Sequence, residues 1–400
     1  MNELQNNLKI KYHKVILLVL LTITALPIFN TNVFNYSIIV MSLVSIFVLI
    51  FKSEIKINYY IIWSLAVAFV IMLSIFWSID KNLAIGQNKQ HAMIMVMYIY
   101  MMLLIQTKKD IYTVLKLFVI SRIVMLLYIL VLLDFDTLGL MRIGAKNLGE
   151  EWNSNAIGMN LALATFSIVV LLRNVMSKKV KILYYLILVL FFIFTLLTGS
   201  RKALFVLVFS IFSFIIMLSR KKIIINLMLF TIMSIGLYYV IVNNPFLYDV
   251  IGKRIEGLTA SFTNSGRIDE STQERKYMIE RGLYFFKNEP LLGYGINNYK
   301  YLLGQIAGDF RYSHNNYIEL LVGIGIFGTF MYYSIFYYII RTVFKIFNEL
   351  TVFALVTAIT ILIIDYGLVS YNSHYINFFI CVSFAAAYFS GKSKSNEISI

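Results

Sequence analysis

The sequence predicts an all-α protein, a polytopic transmembrane helical bundle of about twelve spans with one large extracytoplasmic loop containing an amphipathic helix. Three observations predict it. The 400 residues are 60% hydrophobic and only 14% charged, with a mean hydropathy of +0.79, whereas a soluble protein carries about a quarter charged residues. Apolar runs approaching the ~20 residues that cross a bilayer recur along the whole chain. The positive charges fall in short clusters between those runs, which is the pattern that orients membrane proteins. The net charge of +15 therefore points to the lipid bilayer and not to nucleic acid.

The runs are 15–29, 33–51, 59–77, 92–105, 111–133, 156–172, 180–198, 203–218, 223–242, 317–340, 351–368 and 376–390. The first follows Lys9, Lys11 and Lys14 as a signal peptide would, but no small-residue cleavage site follows, so it reads as an uncleaved first span. The run 92–105 is short. It is kept because omitting it would put the early basic clusters on the opposite face from the later ones. Counted over alternate short connections, eighteen Lys and Arg lie on one side and six on the other. The positive-inside rule then places both termini in the cytoplasm of a multi-pass cell-membrane protein. Spans one to nine occupy 1–242, the extracytoplasmic loop 243–316, and spans ten to twelve with a cytoplasmic tail 317–400.

Within the loop, Ser271 to Glu274 has capping-box spacing. The residues that follow put Ile279, Leu283 and Phe286 on one stripe and Tyr277 and Tyr284 on another, with Arg275, Lys276 and Arg281 interspersed. That reads as an amphipathic helix at the outer membrane surface, ended by Pro290 and the Gly293/Gly295 pair. The lone Cys381 excludes a disulfide framework and a thiolate metal site.

Four polar motifs fall on the outer side: Arg142 with Asn153-Ser154-Asn155-Ala156; Thr198-Gly199-Ser200-Arg201 in a tight turn; Ser265-Gly266-Arg267 in the loop; and Ser313-His314-Asn315-Asn316, with Glu319 one turn on. Their gathering on one face argues for a site more than any one of them does. Each also has a bland reading. An Arg at a span end, such as Arg201, snorkels as an anchor. Arg142 and Arg267 sit in loops and His314 at a helix start, and Asn155 could cap the sixth span. His13, His91 and His374 carry no motif. Gly323 to Gly328 matches G-x-G-x-x-G, a nucleotide fingerprint only after a strand; inside an apolar span it reads as close helix packing. Arg122 falls mid-span, where a charge is functional or paired, and Asp365, at comparable depth, is a candidate partner.

These motifs resemble the O-antigen ligase and polysaccharide polymerase superfamily of bacterial envelope enzymes, from Asn153 to Gly328. The matching pieces are N-x-N-x-x-G at Asn153 to Gly158, Gly199-Ser200-Arg201, Ser265-Gly266-Arg267, Gly293-Tyr294-Gly295 with Tyr299, and His314-Asn315 with Glu319 and Gly325 to Gly328. The resemblance implies a polyprenyl-diphosphate-linked oligosaccharide as donor, an acceptor glycan, and work outside the membrane alongside other polysaccharide export proteins. It makes Arg201 and Arg267 the diphosphate-binding catalytic residues and His314 the residue that serves the acceptor. Arg142, Asn155, Ser200, Asn315 and Glu319 stand as substrate-binding candidates.

Elementary chemistry agrees. A sugar on a lipid diphosphate already has a good leaving group, so catalysis must neutralise the departing phosphate and activate a hydroxyl. Arginine meets phosphate oxygens bidentately and stays charged. Histidine exchanges a proton near neutral pH. No His/Asp/Glu cluster suggests a metal, so the transfer is expected to need neither metal nor cofactor. The expected activity is a polymerase, with a ligase as the sister reading. A lipid-linked oligosaccharide flippase is the alternative class, but it would line many spans with charge and show repeat symmetry.

Overall fold

The computed structural model describes residues 39–40, 43, 46, 57–134, 142–144, 148, 153–219, 222–253, 255–257 and 270–397. The first expected span lies outside them, as does most of the second. The long helices in chain order are α1 (Tyr59–Leu73), α2 (Lys81–Leu104), α3 (Lys108–Leu132), α4 (Ser154–Leu172), α5 (Lys178–Leu197), α6 (Arg201–Leu218), α7 (Ile223–Asn243), α8 (Glu270–Asn288), α9 (Tyr299–Ala307), α10 (Asn316–Lys345), α11 (Glu349–Ile364) and α12 (His374–Glu397). No strand occurs among the described residues. Among the described residues, six helices, α3 to α7 and α10, are by length and composition apolar enough to cross a membrane, and α1 and α11 are shorter apolar helices.

The helix ends follow side-chain chemistry more than hydropathy. The short run 92–105 belongs to a 24-residue helix because Asp80 caps α2, its carboxylate accepting from the Leu83 N–H. Thr107 and Asp110 form a capping box at α3, and Asn348 and Thr351 form one at α11. The box expected at Ser271 rests on a side chain outside the described ones; Ser271 lies inside α8, and the Glu274 carboxylate takes Arg311 at 3.2 Å.

The chain forms two compact units, one of Met1–Ser37 and Thr107–Arg267, the other of Ile38–Gln106 and Ile268–Ile400. In the first, α4 packs against α3, α5 and α6 and is almost wholly buried. In lipid the association of helices comes from packing rather than from transfer out of water. Gly158 supplies the close approach: a Cβ there would lie 2.6 Å from Thr198 Oγ1 and 2.8 Å from Ala203 Cβ.

In the second unit, α10 packs against α1, α8, α11 and α12. It is not the continuous span expected at 317–340. Gly325 adopts φ 66°, ψ −172°, outside any helix. Seventeen residues of straight helix would separate Asn316 from Tyr333 by about 25 Å, yet the Asn316 side chain donates to the Tyr333 hydroxyl at 2.9 Å and the Tyr317 and Tyr333 rings stack at 4.9 Å. The two halves therefore fold back on each other about Gly325. The backbone groups freed by the break are met by the 290–294 turn: Tyr294 N–H donates to Val322 C=O at 2.8 Å, and Ile326 N–H to Pro290 C=O at 2.9 Å. Gly323 and Gly325 of the G-x-G-x-x-G stretch thus admit loop backbone, while Gly328 lies against the Ile324 side chain from the other half of α10.

Amphipathic α8 ends at Asn288, as Pro290 implied, but its most buried stripe is Met278, Gly282 and Phe285. These pack with Tyr299, Leu303, Ile318 and Val322, while Ile279 and Phe286 flank the cluster and Leu283 and Tyr284 remain exposed. The helix α9 inside the loop was not foreseen, although Gly308 (φ 65°) ends it with a left-handed cap.

A side chain at Gly325 would enter both a backbone region open only to glycine and the Leu291 carbonyl. Gly325→Ala is expected to cost about 1–3 kcal/mol, read as a lower thermal midpoint in detergent. Gly236→Ala, in α7 with open space around it, should leave that midpoint unchanged or raise it.

Candidate functional site

In the first unit, the 198–201 turn gathers the candidate residues. Thr198 ends α5, and Gly199 turns the chain at φ 58° with its N–H on Leu196 C=O at 2.9 Å. Ser200 then caps α6, its Oγ accepting from Ala203 N–H. The same hydroxyl donates to Asn155 Oδ1 at 2.9 Å. Asn155 is free for this because the cap of α4 is Asn153, whose side chain accepts from the N–H groups of Asn155 and Ala156. The capping reading of Asn155 is thereby corrected by two residues.

Arg142 joins the same turn. Its neighbour Ile143 donates to Leu197 C=O at 3.0 Å, and a Cβ at Gly199 would stand 3.3 Å from Arg142 Cβ and 2.5 Å from Val250 C=O. Val250 lies in a π-helical turn, Tyr248–Gly252, a form that recurs at functional sites. Burial pulls the Arg142 guanidinium below its usual range. Arg201 is the first residue of α6 and half-buried. A helix start and a guanidinium at one point both favour an anion. The structure thus brings Arg142, Asn155, Ser200 and Arg201 together, while Ser265, Gly266 and Arg267 lie outside the described residues.

In the second unit, His314 stands in the left-handed region at φ 55°, which side chains other than glycine seldom adopt. Both neighbours in sequence are buried and hold it there. Ser313 N–H donates to Glu319 Oε2 at 3.0 Å, and Ser313 Oγ donates to Asn315 C=O at 2.7 Å. Asn315 caps α10 through Oδ1 to Ile318 N–H, and its amide donates to Tyr366 C=O at 3.1 Å. The helix-cap reading of His314 therefore passes to Asn315. The His314 ring is half-buried, 4.2 Å from the ring of Tyr312.

Asn315 and Glu319 are both almost fully buried, and the structure places them in the support of the turn. The Gly293-Tyr294-Gly295 motif and Tyr299 are also structural. Tyr299 Oη donates to Met278 C=O at 2.6 Å, and Asn298 Nδ2 donates to Ser78 Oγ at 2.6 Å. Asp365, read as a candidate partner for Arg122, accepts at Oδ2 from Tyr333 Oη at 2.9 Å and from Asn316 Nδ2 at 3.2 Å. Arg122 lies over the Phe118 ring at 4.4 Å. Sequence reasoning missed Asn298, Tyr333 and the role of Asn316, because a buried amide signals nothing until its partners are known. No cluster of three His, Cys, Asp or Glu able to hold a metal occurs among the described residues.

Residues 186–333 match the O-antigen ligase family. The resemblance to the O-antigen ligase and polysaccharide polymerase superfamily holds over that stretch. It takes in Ser200, Arg201, Arg267, His314, Asn315 and Glu319 and leaves Arg142 and Asn155 outside. The O-antigen ligase family implies lipid-linked oligosaccharides as substrates and the membrane as the place of work. No curated protein matches the chain.

The support reading of Glu319 separates two substitutions. Glu319→Gln keeps an oxygen for the Ser313 N–H and is expected to retain stability and turnover. Glu319→Ala leaves that buried donor unpaired and should cost about 1–3 kcal/mol in thermal unfolding. Loss of turnover in a well-folded Glu319→Gln would return Glu319 to the substrate.

Proposed function

We propose that the chain is a polysaccharide polymerase. It transfers the glycan of a polyprenyl-diphosphate-linked oligosaccharide to the end of another lipid-linked unit on the outer face of the cytoplasmic membrane. The observation that carries the reading is the left-handed backbone of His314, fixed by the bonds that its buried neighbours Ser313 and Asn315 make. Strain of this kind persists where the surroundings over-determine it, and it clusters at active sites.

In the reaction, the acceptor hydroxyl gives its proton to the His314 imidazole. Its oxygen forms the bond to the sugar C1, and the C1–O bond to the diphosphate breaks. The electron pair leaves with the polyprenyl diphosphate, whose charge Arg201 and Arg267 receive, with Arg142 assisting. Ser200 and Asn155 keep the Arg201 turn in shape. The chain's own residues supply every step, without metal or cofactor. A ligase, passing the finished glycan to a lipid or cell-wall acceptor, is the second reading, favoured by the description of the matched family. Offering each acceptor in turn to the purified protein separates the two.

The left-handed backbone makes one substitution especially informative. Asn suits that conformation, so His314→Asn removes the imidazole with little strain. With donor and acceptor in nanodiscs, His314→Asn and His314→Gln are both expected to fall by ~10²–10⁴-fold. Arg201→Lys should also impair transfer strongly, because lysine keeps the charge without the bidentate fork. Near-normal turnover by His314→Asn would defeat the base assignment.

The charge asymmetry supports cytoplasmic termini and an external loop, with α8 at the outer surface. A cysteine at position 305, which is exposed in α9, should label from outside intact cells, and one at position 178 should not. The reverse pattern would overturn the orientation.

A further inference from the structure

We propose that Asn316, Tyr333 and Asp365 form a positioning relay that sets the His314 ring for proton transfer. The inference rests on the reading of His314 as the base. Asn316 is wholly buried, and its N–H and both polar groups of its side chain are bonded. Its N–H donates to Asp365 C=O at 2.7 Å. Its Nδ2 donates to Tyr333 Oη at 2.9 Å and to Asp365 Oδ2 at 3.2 Å. Its Oδ1 accepts from the N–H groups of Ser370 and Tyr371, both at 2.9 Å.

One side chain thus ties together three pieces of backbone two residues from His314. They are the first half of α10, its folded-back second half through Tyr333, and the 365–371 turn between α11 and α12. That turn bears on His314 a second time, because Tyr366 C=O accepts from the Asn315 amide. Displacing it would move both residues that follow His314. Asn316, Tyr333 and Asp365 make none of these bonds to His314 itself, so they act through the turn and are positioning residues.

The donor and acceptor directions are set in one sense only. The Tyr333 hydroxyl accepts from Asn316 and donates to Asp365. Asn316→Asp leaves oxygen facing oxygen, two carboxylates against each other in a buried place, although Oδ1 still accepts from Ser370 and Tyr371. Adding Asp365→Asn restores the pairing with its direction reversed: the new amide donates, the new carboxylate accepts, and the tyrosine hydroxyl rotates. A structural role in packing alone gives no reason for that exchange to rescue chemistry.

The test uses the full-length protein in nanodiscs with two readouts. The first is kcat and KM for the lipid-linked donor. The second, which needs no activity, is the rate at which diethyl pyrocarbonate modifies His314, read by peptide mass spectrometry. Asn316→Asp is expected to lower kcat by about tenfold or more, since small misplacements of a reacting group are costly, with donor KM nearly unchanged and the His314 modification rate altered. Asn316→Asp/Asp365→Asn should recover both. Tyr333→Phe, which adds no charge and is the milder variant if Asn316→Asp fails to fold, should lower kcat several-fold in the same manner. The relay is overturned if Tyr333→Phe or a folded Asn316→Asp leaves both readouts at wild-type values. It is also overturned if the double variant melts like wild type yet stays as slow as Asn316→Asp. If the wild-type protein transfers no glycan, the base reading falls alone; the modification rates still decide whether the relay sets His314.

Discussion

A broken helix must find partners for the backbone groups it releases, and the second unit is arranged around one such break. In an apolar surrounding each unmet N–H or C=O costs several kcal/mol. At Gly325 the released groups are Val322 C=O and Ile326 N–H, and the turn from Pro290 to Tyr294 meets both. The match depends on glycine twice, because a Cβ at Gly293 would stand 2.5 Å from Val322 C=O and one at Gly325 would strike Leu291 C=O. With the break sealed, the first half of α10 can fold back along the second. That brings Asn316 to Tyr333 and gives the His314 turn a buried floor.

The first unit uses a different device for a similar end. Its candidate residues sit where two helices meet through a turn of four residues, and each polar group serves both as a cap and as a link. Ser200 caps α6 and holds Asn155; Asn153 caps α4 and so leaves Asn155 available. Gly158 lets the capped turn lie against α4, and Gly199 lets it lie under Val250 C=O. Arg201 is the first residue of a helix whose cap is already filled by Ser200.

Both units spend buried polar side chains on shaping turns rather than on chemistry. Asn315, Asn316, Glu319 and Asp365 are chemically capable groups, yet the bonds they make are to the backbone, to Tyr333 and to one another. Half-satisfied networks weaken a structure, whereas complete ones specify it. Asn316 meets a partner with each polar group of its side chain, which ties down the turn two residues from the strained His314.

Much of this protein was determined by sequence alone. Its low charge and apolar runs require helices in lipid, since only helices and closed barrels satisfy the backbone there. The positions of nearly all described helices followed from where those runs lie, and residue chemistry singled out Arg201, Arg142 and His314. Tertiary structure decided the rest. Hydropathy is blind to caps, so α2 began eleven residues before its apolar run, and the cap of α4 fell to Asn153 instead of Asn155. Periodicity assumes a straight axis, so a fold at Gly325 could not be read from a stretch that is apolar on both sides of it. The roles of Asn316, Tyr333 and Asp365 come from partners 17 to 55 residues away. A side chain's type says what bonds it can make, and only the fold says which groups come within reach.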